Sequence, residues 1–124
     1  MTEPVLDAKV IASLEELEAA SGAPLLAPLV SAFLGDAPGR LAALQEALTR
    51  GDRSALGQQA HGLKGSAAAL GVTRVASLAG LLERDAAGAD LGGLAAAAAE
   101  LVEAVAQARP ALRALATGGR EHSS

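Results

Sequence analysis

The chain has 124 residues, enough for one domain with a buried core and too few for two substantial domains. Hydrophobic residues make up 51% of the chain and aromatic residues 1%, and the absence of cysteine excludes disulfides and cysteine-ligated metal sites. The net charge of −4, with scattered Lys and Arg, argues against binding to nucleic acid or to an anionic membrane surface. A core of Leu, Ala and Val favours close-packed helices, because strands draw on aromatic and β-branched residues.

Hydrophobic residues at helical spacing divide the chain into six predicted segments. In the first, Val10, Leu14 and Leu17 form one apolar stripe, and the sequence SGAP ends the helix. The predicted segments, in chain order, are 6–20, 24–34, 38–50, 52–70, 73–85 and 94–115.

Proline, glycine and helix-capping residues mark the boundaries of these segments. The sequence GDAPGR, at 35–40, predicts a break between the second and third helices. Asp52 is the expected N-cap of the fourth helix and Gly71 its C-cap, while Thr73 is the expected N-cap of the fifth. Pro110 predicts a kink in the sixth.

Short connections between amphipathic helices predict an all-α fold, an antiparallel up-and-down four-helix bundle with one or two additional short N-terminal helices. The bundle domain is expected at 6–116, between an N-terminal tail at 1–5 and a disordered C-terminal tail at 117–124. No signal peptide is recognisable, and the longest apolar run is interrupted by Glu100 and Glu103 and is too short to cross a bilayer. We therefore expect a cytoplasmic protein that does not associate with membranes.

The fourth segment contains the sequence AHGLKGSAAALG, which combines a histidine and a lysine with small residues. On a helical wheel, His61 points about 140° away from the core direction, towards solvent. Lys64, Ala68 and Gly65 fall on the same outer side, at about 80°, 120° and 180°. The positions that define the core direction are Leu56, Ala60, Leu63, Ala67 and Leu70.

Glycine is an unfavourable choice within this helix. Gly57, Gly62 and Gly65 each destabilise it by about 1 kcal/mol relative to alanine. One interpretation is that another macromolecule must approach the helix backbone closely. The other is that the glycines relieve crowding between helices, which suits Gly57 and Gly62 better than the outward-facing Gly65.

The residues around His61 exclude some chemistries and favour one. Positions four residues away are Gly57 and Gly65, and His122 lies in the tail, so no metal site is expected. No GxSxG sequence is present to supply a hydrolase nucleophile. Neutral imidazole is a good nucleophile, and Lys64 would place a positive charge near incoming phosphoryl oxygens. Phosphoryl transfer fits best.

The sequence AHGLKGSAAALG, followed by VTRVASLAGLLE, resembles the signature of histidine-containing phosphotransfer (HPt) domains. The resemblance extends upstream through FLGDAPGRL, which matches a family pattern FLxDAPxRL, and covers about residues 5–115. It implies that His61 accepts a phosphoryl group from the phospho-aspartate of one receiver domain and passes it to an aspartate of another. Lys64 matches the lysine that steadies the phosphoryl oxygens. Gly65 matches the glycine over which the receiver docks, and we add Ala68 and Gly57 to this docking surface.

Other positions of the resemblance have less defined roles. Glu83 lies where the family often has Gln or Glu near the histidine, so it is a candidate to orient the imidazole ring, or else an ordinary exposed acid. Gln58 is a second candidate for orienting the ring. Ser66 belongs to the motif but lies at the edge of the core, which suggests packing or local hydrogen bonding. Gly62 departs from the larger residue that the family more often has after the histidine, and it is expected to loosen the helix locally.

The resemblance also implies partners: response-regulator receiver domains and a histidine kinase or hybrid histidine kinase, with the chain acting as a monomer. No cofactor is expected in this chain, since Mg²⁺ would be bound by the receiver. Without a Gly-rich ATP-binding segment, the chain is expected to be a phosphoryl carrier rather than a kinase. Two alternatives remain: an adaptor that binds receivers without relaying phosphate, and a kinase dimerisation-type domain, in which an acidic residue commonly replaces Gly62. The start at Met1 favours a free-standing protein over a fragment of a larger kinase.

Overall fold

The computed structural model describes residues 5–123, with side chains as far as Thr117, and residues 1–4 of the predicted N-terminal tail lie outside it. Over that range the regular secondary structure is all α-helix, with no strand. The five helices are α1 (Ala8–Ser21), α2 (Leu26–Arg50), α3 (Arg53–Leu70), α4 (Thr73–Asp85) and α5 (Leu91–Ser123).

The core lies among the four helices α2, α3, α4 and α5. α2 packs against α3 and α5, α4 packs against the same two helices, and α1 lies against α2 and α3. Leu44, Leu63 and Leu101 are each at most 1% exposed, and burial of such a side chain contributes about 1.5–3 kcal/mol. Phe33, the one aromatic residue of the chain, is also buried. Among the described residues no polar side chain is buried, so the core is held by apolar packing.

The predicted break at 35–40 is wrong, because α2 continues through Pro38. Proline removes one backbone hydrogen bond from a helix interior. Pro38 faces solvent, however, and the apolar stripe keeps its phase on both sides of it. The buried stripe runs Val30, Phe33, Ala37, Leu41 and Leu44. Burial of this unbroken stripe outweighs the missing hydrogen bond, so the six predicted segments become five helices.

The turn between α3 and α4 confirms one predicted cap and corrects another. Gly71 is the C-cap of α3 with φ of 71°, in the left-handed region that favours glycine. The backbone N–H of Val72 donates back to the carbonyl of Ala67 at 2.8 Å, which closes the turn. Val72 is therefore the N-cap position of α4, and Thr73 is its first helical residue rather than its cap. At the start of α3, Asp52 is the N-cap, as predicted, and accepts from the backbone N–H of Ala55 at 3.1 Å.

The first helix packs on the core only through half-buried side chains, among them Leu14, and it is also bonded at its two ends. Leu17, predicted to be part of the apolar stripe, is 58% exposed, and α1 has no fully buried residue. The backbone N–H of Asp7 donates to the carbonyl of Gly71 at 2.7 Å. At the other end, Glu18 Oε2 accepts from the backbone N–H groups of Leu25 and Leu26 at 2.6 and 3.0 Å. These two hydrogen bonds hold the pKa of the Glu18 carboxyl below its ordinary value.

The last helix is longer than predicted at both ends. α5 begins at Leu91, where Asp90 accepts a hydrogen bond from the backbone N–H of Gly93 at 3.2 Å, and it continues through Pro110. Its backbone is helical through Ser123, so α5 includes most of the segment 117–124 for which the sequence predicts disorder. Extending an existing helix requires no new nucleation, and each added residue fixes one further backbone hydrogen bond.

By length and composition α5 could cross a membrane, since Leu91–Thr117 contains an 18-residue window with a mean hydropathy of 1.3. The sequence predicts too short an apolar run because Glu100 and Glu103 interrupt it. In the structure both residues lie on the exposed face and the helix continues past them. The opposite face packs into the core through Leu101 and Leu112, both 0% exposed. A core helix of a helical bundle meets the same compositional test.

Candidate functional site

The helical wheel of α3 is confirmed. All five positions that define the core direction are buried, and the His61 side chain is 68% exposed on the opposite side of the helix. The site is built where this face of α3 meets α4, and α3 and α4 are joined by the tight Gly71–Val72 turn. The short turn fixes the two helices side by side and brings residues of α4 next to His61.

Glu83 of α4 binds the imidazole ring of His61. His61 Nδ1 lies 2.7 Å from Glu83 Oε2. An ionised carboxylate can only accept hydrogen bonds, so Nδ1 carries the hydrogen and donates it. In the neutral ring this leaves Nε2 unprotonated, with its lone pair directed away from Glu83 on an exposed side chain. The arrangement defines which ring nitrogen can act as a nucleophile.

The same carboxylate also binds Lys64. Lys64 Nζ lies 2.7 Å from Glu83 Oε1, so the two oxygens of Glu83 are divided between the ring and the ammonium group. The hydrogen bond from Lys64 is the main cause that holds the pKa of the Glu83 carboxyl below its ordinary value, with a further contribution from His61. The Lys64 stem passes over Gly80, where an added Cβ would lie 3.4 Å from Lys64 Cδ. His61, Lys64 and Glu83 therefore form one bonded cluster, which we call the imidazole cluster.

The predicted docking residues lie around this cluster. Gly65 is open, with nothing within 4 Å of the position that a Cβ would take, and Ala68 is exposed. Gly57 lines a shallow concavity with His61, but its missing Cβ points at this chain's own Ala86, at 3.6 Å. Of the three, Gly65 and Ala68 face solvent, and Gly57 lies at the contact with Ala86, the C-cap residue of α4.

The second candidate for orienting the ring occupies a different position. Gln58 is exposed and lines the concavity beside His61, while Nδ1 is already bonded to Glu83. Ser66, half-buried, lines a groove between α2 and α3 rather than the imidazole cluster. Among the described residues no group of three or more His, Asp or Glu side chains could hold a metal ion.

One residue of this surface is missed by reasoning from the sequence. The guanidinium group of Arg40, on α2, lies where a Cβ of Gly62 would be, so the two could not coexist without a shift. Arg40 Nε donates to Asp36 Oδ2 at 2.9 Å. The available signal was the spacing of Asp36 and Arg40, four residues apart within FLGDAPGRL, which predicts an ion pair on the surface of a helix. Gly62 accommodates this arginine, which is a packing reason for the glycine.

Comparison with known proteins shows the family of the chain. A family model of the Hpt domain matches residues 28–115, which is more than half of the chain. The chain belongs to the Hpt domain family.

A solved structure extends the match to nearly the whole chain. The chain is similar to the crystal structure of histidine-containing phosphotransfer protein B (HptB) from Pseudomonas aeruginosa PAO1, with 29% sequence identity and a TM-score of 0.79. The match covers 90% of this chain and 94% of that one. No curated protein sequence matches the chain. The family and the structural likeness support a histidine phosphotransfer protein of phosphorelays.

Proposed function

We propose that this chain relays a phosphoryl group between aspartates of response-regulator receiver domains through a phosphohistidine at His61. The observation that carries the proposal is the bond between His61 Nδ1 and Glu83 Oε2 at 2.7 Å, which leaves Nε2 as an exposed nucleophile. The nucleophile stands on a surface where Gly65 leaves the backbone of α3 open to a docked partner.

The transfer step requires no group beyond the imidazole cluster and the partner. The Nε2 lone pair forms a bond to the phosphorus of the phospho-aspartate. The P–O bond to the aspartate breaks, and its electron pair leaves with the carboxylate. Nδ1 keeps its hydrogen, so the phosphorylated ring carries a positive charge that the Glu83 carboxylate balances. Onward transfer is the reverse reaction with a second aspartate as the nucleophile.

Lys64 supplies the positive charge that phosphoryl transfer needs near the oxygens of the group. It is held 2.7 Å from Glu83 and its side chain is 42% exposed, so it can turn towards phosphoryl oxygens over a short distance. Glu83 orients the ring and holds Lys64 close to it. Gln58 has neither contact and is not required for this mechanism.

The remaining expectations follow from the proposed relay. We infer that α2–α5 form an antiparallel up-and-down four-helix bundle, with α1 as the additional N-terminal helix. Gly65 and Ala68, with Gly57 at the edge, form the surface on which receivers dock. The partners are receiver domains and a histidine kinase, and the chain acts as a cytoplasmic monomer. The Mg²⁺ of the reaction is bound by the receiver, and the chain does not phosphorylate itself from ATP.

The deciding experiment is transfer from receiver domains that have been phosphorylated with acetyl phosphate and Mg²⁺. The wild-type protein is expected to acquire phosphate that is labile in acid and stable in alkali, whereas His61→Gln is expected to acquire none. Incubation of the wild type with ATP alone is the matched control and should give no label. Transfer that survives in His61→Gln would disprove the site. Binding of receivers without any transfer would instead identify an adaptor.

A further inference from the structure

A second cation lies on the phosphotransfer surface, on the side of α3 opposite Lys64. The Arg40 guanidinium is seated against Gly62, the residue that follows His61. One helical residue corresponds to about 100° of rotation, so Gly62 lies about 100° to one side of His61. Lys64, three residues after His61, lies about 60° to the other side. Gly65 falls between His61 and Gly62, at about 40° from His61.

The position of Arg40 is fixed by three contacts from two helices. Its Nε donates to Asp36 Oδ2 at 2.9 Å, and one terminal nitrogen donates to Gln59 Oε1 at 3.4 Å. The third contact is with the backbone of Gly62, where any side chain would displace the guanidinium. The Arg40 side chain is 34% exposed, so it is held in place yet accessible at the edge of the open Gly65 surface.

We propose that Arg40 is a docking residue, which binds the acidic surface around the phospho-aspartate of an incoming receiver domain; this inference rests on the proposed relay. A partner centred over Gly65 would have Lys64 on one flank and Arg40 on the other. Lys64 is bonded into the imidazole cluster, whereas Arg40 is bonded to Asp36 and Gln59 of a separate network. Arg40 therefore acts on the association of the two proteins and not on the transferred group.

This assignment gives Gly62 a functional reason. A methyl group at position 62 would overlap the guanidinium, so alanine there would displace the Arg40 side chain from its position against α3. Gly62→Ala should consequently weaken docking in the same direction as removal of the arginine. The two changes should not be additive, because each removes the same contact.

The test measures single-turnover transfer from an acetyl-phosphate-loaded receiver that the wild-type protein accepts as a donor. Arg40→Gln is expected to raise the half-saturating concentration roughly two- to fivefold, the size expected for one exposed charge, and to leave the saturating rate unchanged. Added salt should raise the half-saturating concentration of the wild type more than that of Arg40→Gln, because salt screens the charge.

Arg50→Gln is the matched control. Arg50 is on the same helix and is also paired four residues away, with Glu46 at 3.5 Å, but it lies ten residues, or about 15 Å, from Arg40. It should behave as the wild type. An unchanged half-saturating concentration in Arg40→Gln, a loss confined to its saturating rate, or an equal effect of Arg50→Gln would each overturn the inference. All three results leave the relay itself intact, whereas failure of the wild type to accept phosphate disproves the relay.

Discussion

Replacing Gly65 by alanine should raise the stability of α3 and lower phosphoryl transfer. The residue is within a regular helix, and nothing lies within 4 Å of the place where a Cβ would be added. Replacing a helical glycine by alanine stabilises a helix by about 1 kcal/mol when the methyl group meets no obstacle. An unfolding entropy of about 2.1 cal/mol/K per residue converts this, for a domain of this size, into a rise in melting temperature of about 4 °C.

The same methyl group should weaken the relay. It projects from the surface over which a receiver is proposed to dock, where overpacking of a close contact costs about 1 kcal/mol or more. That corresponds to a roughly fivefold rise in the half-saturating concentration of the receiver. The expected variant is thus more stable than the wild type and a poorer phosphotransfer protein.

Gly39→Ala provides the control. Gly39 lies within α2, is exposed, and likewise has nothing within 4 Å of its Cβ position. It should show the gain in melting temperature without the loss in transfer. Thermal unfolding followed by circular dichroism and single-turnover transfer from a phosphorylated receiver measure the two effects. The reasoning about Gly65 fails if Gly65→Ala transfers phosphate as well as Gly39→Ala, or if it melts below the wild type.

Two further predictions concern the partners of His61. Folding lowers the pKa of the Glu83 carboxyl below its ordinary value of 4.5. The ionised carboxylate therefore stabilises the fold fully at pH values above 4.5, and this stabilisation is lost as the pH falls through the lower pKa of the folded state. The melting temperature of the wild type should therefore exceed that of Glu83→Gln at neutral pH, with the gap closing in acid; a gap that is independent of pH would contradict the ion pairs. Lys64→Ala should lower the saturating rate of transfer roughly tenfold or more, since it removes a positive charge from the phosphoryl site. It should leave the bundle folded, because the Lys64 side chain is 42% exposed, and a large fall in melting temperature would show that its role is structural.

The features that could be predicted from the sequence are those set by the spacing of hydrophobic residues within a single helix. The buried stripe of α3 and the exposure of His61 follow from 3.6 residues per turn, and both are confirmed. The length of α2 could not be predicted from local signals. Pro38 and its neighbouring glycines are typical of a break, and only the burial of Ala37 and Leu41 against other helices keeps the helix continuous.

Contacts between helices were the least predictable part of the site. The family resemblance placed Glu83 near His61 without deciding whether it orients the ring, and the 2.7 Å contact depends on how α3 and α4 pack. The contact between Arg40 and Gly62 joins residues of two helices, and the sequence around either residue does not predict it. Leu17 shows a different error: the apolar stripe predicts its burial, but the side chain is 58% exposed, while Leu14 of the same stripe packs against the core.

The bond between His61 Nδ1 and Glu83 Oε2 also decides what departs when the phosphoryl group moves on. With hydrogen retained on Nδ1, the P–N bond breaks to return an electron pair to Nε2, and the leaving group is neutral imidazole. Without that hydrogen the leaving group would be an imidazolate anion, a far stronger base that departs slowly. In the proposed relay, Glu83 thereby keeps the phosphohistidine reactive towards the next aspartate, and the onward step needs no separate acid catalyst.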